Sequence, residues 1–152
     1  IPQIGQYVLV LETVESQRLL PIWIGASEGS SIALQLQGVE FPRPITHDLM
    51  VNMLKIFQVK IIAVIISDLK DNTYYAMIQA DFSGKHFEID ARPSDAVAIA
   101  VRTKSPILID DRVLEKCPKI DRPITDKDVE KFKQDMQNMS PEEFFKRLKE
   151  KE

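Results

Sequence analysis

Residues 59–66 read Val-Lys-Ile-Ile-Ala-Val-Ile-Ile, apolar on both of the faces a strand presents, with Ile61, Ala63 and Ile65 on one and Ile62, Val64 and Ile66 on the other. A strand of that pattern is stable where both faces are covered. The spacing therefore predicts a central strand over 59–68, with the remaining elements arranged around it. Lys60 interrupts the run, and nothing in the chain reaches the roughly 20 unbroken apolar residues of a membrane helix. No membrane association is expected.

Upstream, residues 6–13 and 18–25 read as two strands of a hairpin, joined by the polar turn Val14-Glu15-Ser16-Gln17. Two helices follow, over 27–37 and 46–58, the first closed by Gly38 and the second with Leu49, Met53, Ile56 and Phe57 as its apolar face. Downstream, Asp71-Asn72 and Ser83-Gly84 are tight turns linking 59–68, 73–82 and 85–91 into a meander. Ser94 is the expected cap of an almost wholly apolar helix over 95–103, and 106–109 reads as a last short strand. Strands and helices that alternate without a regular βαβ repeat define an α+β fold: a mixed, largely antiparallel sheet with helices packed on it.

The chain of 152 residues is long enough for one self-sufficient core. It divides near Pro118 into a domain, 1–118, and a tail, 119–152, that carries nine basic and nine acidic residues. In the tail Val129, Phe132, Met136 and Met139 recur at helical spacing, and Ser140-Pro141-Glu142-Glu143 is a second helix start. This amphipathic segment is expected to pack on the domain or at an oligomer interface. The net charge of −3 falls entirely within 1–118, which excludes a globally basic nucleic-acid surface. A single cysteine, Cys117, excludes an intrachain disulfide and lacks a visible base. No basic and apolar leader opens the sequence, so the cytoplasm is the expected setting.

Chemistry-bearing residues cluster where elements begin and end. In Phe41-Pro42-Arg43-Pro44-Ile45-Thr46-His47-Asp48 a proline-stiffened approach leads into a helix whose first turn carries an imidazole and a carboxylate. Free backbone N–H groups there, with Arg43 and Thr46, suit a phosphate; His47 and Asp48 suit proton transfer or a metal. The bland reading makes Thr46 the cap, Asp48 a dipole partner and His47 an exposed side chain. In the second cluster, His86, Glu88 and Asp90 share one face of a strand, followed by Arg92, Ser94 and Asp95. Its oxygen-rich spacing suits Mg²⁺ or Mn²⁺, against the alternative of a solvated sheet face. Glu28, in the first turn of its helix, is a candidate third acid or simply offsets the helix dipole. Tyr74 and Tyr75 face opposite sides of a strand, one expected in the core and one on the surface. Walker-type, GxGxxG, HExxH and GxSxG motifs are absent.

Four ordered strings, Leu20-Pro21-Ile22-Trp23-Ile24-Gly25, Pro42-Arg43-Pro44-Ile45-Thr46-His47-Asp48-Leu49, Asp71-Asn72-Thr73-Tyr74-Tyr75-Ala76 and Glu88-Ile89-Asp90-Ala91-Arg92-Pro93-Ser94-Asp95-Ala96, together resemble the bifunctional nuclease family. The resemblance runs from Tyr7 to Leu114 and more loosely to 140–144. It departs mildly at Asn72 and at Tyr74, and His86 lies outside its motifs. It implies metal-assisted hydrolysis of DNA and RNA phosphodiesters, with Asp48, Asp90, Asp95 and Glu28 holding a divalent ion, His47, Asp48 and Asp90 catalytic, and Arg43, Thr46, Arg92 and Ser94 on the substrate. Nucleic acid would then bind weakly and only with metal, and the chain would self-associate. The competing expectation is a non-catalytic binding or assembly module whose arginines and acids form a structural network.

Overall fold

The computed structural model describes residues 6–16 and 18–117, together with the single helical positions Gln134, Glu143 and Lys146. The tail expected over 119–152 lies otherwise outside the described residues. Strands β1 (Gln6–Glu12) and β2 (Leu19–Gly25) pair antiparallel as a separate two-stranded sheet. Helices α1 (Ala26–Leu36) and α2 (Thr46–Ile56) follow, and then the meander β3 (Lys60–Lys70), β4 (Thr73–Phe82) and β5 (Lys85–Ala91). After α3 (Pro93–Thr103), the short β6 (Ile107–Ile109) returns parallel to β3, giving a four-stranded sheet in the order β5-β4-β3-β6. A last helix, α4 (Asp111–Lys116), has no counterpart in the sequence reading; Asp110 caps it, accepting from the Arg112 N–H at 3.0 Å. The domain is α+β, with a mixed but largely antiparallel sheet, as the sequence predicts.

The core lies between the four-stranded sheet and the helices. Val64 and Ile66 of β3 and Ala76 and Ile78 of β4, matched by register, point together at the apolar side of α3 and are buried with it. Residues 96–100 of α3 are all buried, because a helix apolar on every side finds its minimum only inside. Coverage of β3 is uneven along its length, however. Bulges between Ile61 and Ala63 and between Ile66 and Asp68 break its strict alternation, and Ile62 is 41% exposed.

The caps of two helices lie upstream of the side chains expected to cap them, and both shifts decide how the site is built. The cap of α2 is Ile45, not Thr46, so Asp48 occupies the third helical position and accepts the Ile45 N–H at 3.1 Å. The cap of α3 is Arg92; Pro93 opens the helix and Ser94 is buried within its first turn instead of capping it. The larger departure is in α2 itself. Its inward face carries His47 and Val51, while Leu49, Met53, Ile56 and Phe57, the expected packing stripe, are all at least half exposed.

Candidate functional site

Three helix starts converge on one cleft: the first turn of α1 brings Glu28, that of α2 brings Thr46 and His47, and that of α3 brings Arg92 and Asp95. Leu34, Phe41, Ile45 and Met50 supply an apolar wall. The cleft is open to solvent and holds about 550 Å³, within the range of small-molecule sites. Gly25, the cap of α1, lies so close to Glu28 that a Cβ there would collide with the carboxylate end of that side chain. A side chain at this position would compete with Glu28 for its place at the cleft.

Arg92 stands at the centre of the polar side. Its Nε donates to Asp95 Oδ2 at 2.7 Å and its Nη2 to Asp95 Oδ1 at 3.1 Å, while the same Nη2 lies 3.0 Å from Glu28 Oε1. Hydrogen bonding to Asp95, then to Glu28, raises its pKa further. The side chain nonetheless remains 66% exposed, so a ligand can reach the cation. Burial pushes the Asp95 carboxyl up, but the bonds from Arg92 and His47 outweigh it and hold the group below its ordinary value.

His47 is buried and engaged on both ring nitrogens, Nδ1 with Ser31 Oγ at 2.9 Å and Nε2 with Asp95 Oδ1 at 3.2 Å. Behind it lies Arg102, which the sequence reading passed over. Its guanidinium, 6% exposed, donates from Nε to Asp48 Oδ1 at 2.6 Å, from Nη1 to the Ala98 carbonyl at 3.0 Å, and from Nη2 to both the carbonyl and the hydroxyl of Ser31 at 3.3 and 3.0 Å. An arginine only donates. The ionised Asp95 carboxylate can only accept, which places the proton of neutral His47 on Nε2 and leaves Nδ1 to accept from the Ser31 hydroxyl, itself an acceptor from Arg102. The chain has two histidines, and His86 is well exposed and differently partnered, so two-bond ¹H–¹⁵N spectra can assign both rings. The Nε2-protonated tautomer is expected for His47; an Nδ1-protonated ring would refute the relay from Arg102 through Ser31.

Of the residues singled out from sequence, Glu28, Thr46, His47, Arg92 and Asp95 meet in the cleft. Asp48 turns away to Arg102, and this salt bridge, with the Ile45 N–H, holds its carboxyl below the ordinary value despite its burial. Asp90 sits with His86 and Glu88 on the β5 face opposite to the one bearing Phe87 and Ile89, outside the cleft lining. Arg43 is exposed on the approach to α2 and does not line the cleft, and Ser94 is buried. Tyr74 is in the core and Tyr75 on the surface. Burial, partly offset by a 3.5 Å contact with Tyr74 Oη, raises the Cys117 thiol out of the reactive range.

The divalent ion expected from sequence finds no matching donor set. Glu28 and Asp95 are bridged by Arg92, Asp48 is bonded to Arg102 and Asp90 is elsewhere; among the described residues no three metal-ligating side chains come together. A cation between Glu28 and Asp95 would have to expel a guanidinium already bound to both. No step through a metal follows from these residues.

The fold and cleft define an α+β domain that presents one accessible, acid-bridged arginine beside an apolar wall. The chain belongs to the bifunctional nuclease family: the family's domain model matches residues 9–121. An uncharacterized protein of Mycobacterium tuberculosis is 39% identical over 149 residues, covering 92% of this chain and 89% of that protein. Bifunctional nuclease 1 of Oryza sativa is 28% identical over 101 residues, 64% of this chain but only 30% of the rice protein. No helix among the described residues is long and apolar enough to cross a membrane.

Proposed function

We propose that the chain hydrolyses phosphodiester bonds of nucleic acid, with Arg92 as the phosphate-binding group and Glu28 as the base. The observation that supports this reading is the exposed Arg92 guanidinium, held between two carboxylates in a cleft large enough for a nucleotide. An incoming phosphodiester competes with Glu28 for Nη2, the weaker of the two attachments because Asp95 grips the guanidinium twice. Arg92 then neutralises charge on the non-bridging oxygens as it builds. Displaced Glu28 accepts a proton from the attacking water; a phosphorus–oxygen bond forms, the bond to the leaving sugar oxygen breaks, and that oxygen takes the proton back. His47 touches no substrate in this scheme. Through Asp95 it keeps Arg92 aimed into the cleft.

The cleft holds one cation and two carboxylates, so substrate binding is expected to be weak. A buried, free Cys117 is compatible with a reducing, cytoplasmic setting. The complete pairing of Arg92, Asp95, Glu28 and His47 favours a second reading, in which the same cleft binds a small anion without catalysis.

Cleavage of single-stranded RNA and DNA by the purified chain, with and without chelator, separates the two. The nuclease reading expects turnover that survives chelation, falls at least tenfold in Arg92→Ala, and is unchanged in Asp90→Ala. Equal residual cleavage in all three proteins would identify a contaminant and leave the anion-binding reading.

A further inference from the structure

Helix α2 is apolar on two sides, and among the described residues only one of them is packed. Val51 and His47 face the core, whereas Leu49, Met50, Met53, Ile56 and Phe57 are 53, 40, 50, 75 and 62% exposed. The outward residues are not scattered. Thr46, Leu49, Met53 and Ile56 follow one another at intervals of three, four and three, the seam spacing of a coiled coil, with Met50 and Phe57 along its flank. Asn52 borders the other side, so the seam and both flanks carry no charge.

We propose that this face of α2 packs against α2 of a second copy in an antiparallel, two-fold interface. With the axis at Met53, Leu49 meets Phe57 of the partner subunit, Met50 meets Ile56 of the partner subunit, and the two Met53 side chains touch. Antiparallel pairing of an identical helix brings large apolar groups opposite large apolar groups at these contacts, and an uncharged seam meets no like-charge penalty from its own copy. At these exposures each side chain presents on the order of 100 Å², so the stripe amounts to roughly 500 Å², at the upper end for a patch on a monomer. Doubling it gives about 1,000 Å², the lower bound for a biological interface between two chains.

Among the other exposed apolar side chains of the described residues, Phe87 and Ile89 on the edge strand β5 make a poorer self-interface. There, centring a two-fold pair on Glu88 sets two carboxylates against each other. Met50 also lines the cleft. The second copy consequently sits beside the cleft mouth, and dimerisation would shape access to Arg92.

Sedimentation of the full chain at tens of micromolar tests the interface. A species of twice 17.4 kDa is expected, converting to the single-chain mass in Met53→Glu with its Tm and His47 ring signals retained, while Met53→Leu stays dimeric. Met53→Cys should form an intersubunit disulfide on mild oxidation, because its position lies on the axis; Cys117 is buried and gives little background. A single-chain mass for the unaltered protein would overturn the proposal, and slow labelling of Met53→Cys in that species would assign the face to the chain's own C-terminal segment. A dimer that survives Met53→Glu would place the interface elsewhere and overturn it equally.

Discussion

Replacing Arg102 by methionine is expected to lower the unfolding free energy by about 3 kcal/mol and the Tm by roughly 6–12 °C for a chain of this length. The side chain is almost wholly buried and serves four acceptors, among them the Asp48 carboxylate and both oxygens of Ser31. Methionine fills much of the volume but donates nothing, so Asp48 is left charged against a partly apolar surface. The cost stays near the lower end for a broken buried pair because the Asp48 side chain keeps 30% of its exposure and can still draw on water. The same change at Arg92 makes an instructive contrast. That side chain is two-thirds exposed, its pairs are surface pairs, and its loss should cost under about 1 kcal/mol. Urea unfolding of the two variants beside the unaltered chain measures the difference. The gap should also narrow in acid. Asp48 titrates below the ordinary 3.8 in the folded protein, so the stability it contributes is complete above that pH and is lost as pH falls through the lower, folded value. An Arg102→Met protein as stable as the parent near neutral pH would show that the network is ornamental.

Why Arg102 escaped the sequence reading is a matter of range. Its partners Asp48 and Ser31 are 54 and 71 residues away, and nothing in local periodicity links them. A faint signal existed: Arg102 is the one cation at the end of an otherwise apolar helix, and a charge on a helix buried all round requires a partner. The elements themselves were legible because each rests on local chemistry. The meander β3-β4-β5 follows from its two turns, where Asp71, Asn72 and Ser83 adopt positive φ and Gly84 completes the second. The caps lie one residue upstream of Thr46 and two upstream of Ser94, although Thr46 and Ser94 are the better capping side chains. Backbone geometry chose Ile45 and Arg92, with Pro93 fixing the first helical position of α3. Within the site, the first-turn acids Glu28 and Asp95 reach the cleft while Asp48 turns to Arg102, and period two on β5 says only that His86, Glu88 and Asp90 share a face, not which face meets the cleft. Likewise the periodicity of α2 identified its stronger apolar stripe, and tertiary packing used the weaker one.

Glu28→Gln is expected to lower kcat for phosphodiester cleavage by about 10³-fold, within the span of general-base removals, and to lower KM in the same protein. The two effects come from two roles of a single carboxylate. In the resting site Glu28 binds Arg92 Nη2 at 3.0 Å, so a substrate phosphate must displace it. The amide is isosteric but uncharged; it yields the guanidinium more readily, and ground-state binding tightens. Once displaced, however, the amide cannot accept the proton of the attacking water, and the chemical step slows. A residue that only braced the fold would produce neither signature, since loss of structure raises KM or removes active molecules without improving binding. The fold should tolerate the change, because Asp95 retains both of its bonds to Arg92. Steady-state kinetics on a short single-stranded oligonucleotide, with the Tm as control, decides the matter. If kcat is unchanged while KM falls, Glu28 is merely a competitor for the phosphate site and the base lies elsewhere. If kcat and kcat/KM fall together with no fall in KM, Glu28 acts only in the transition state, and the resting bridge to Arg92 has no part in admitting substrate.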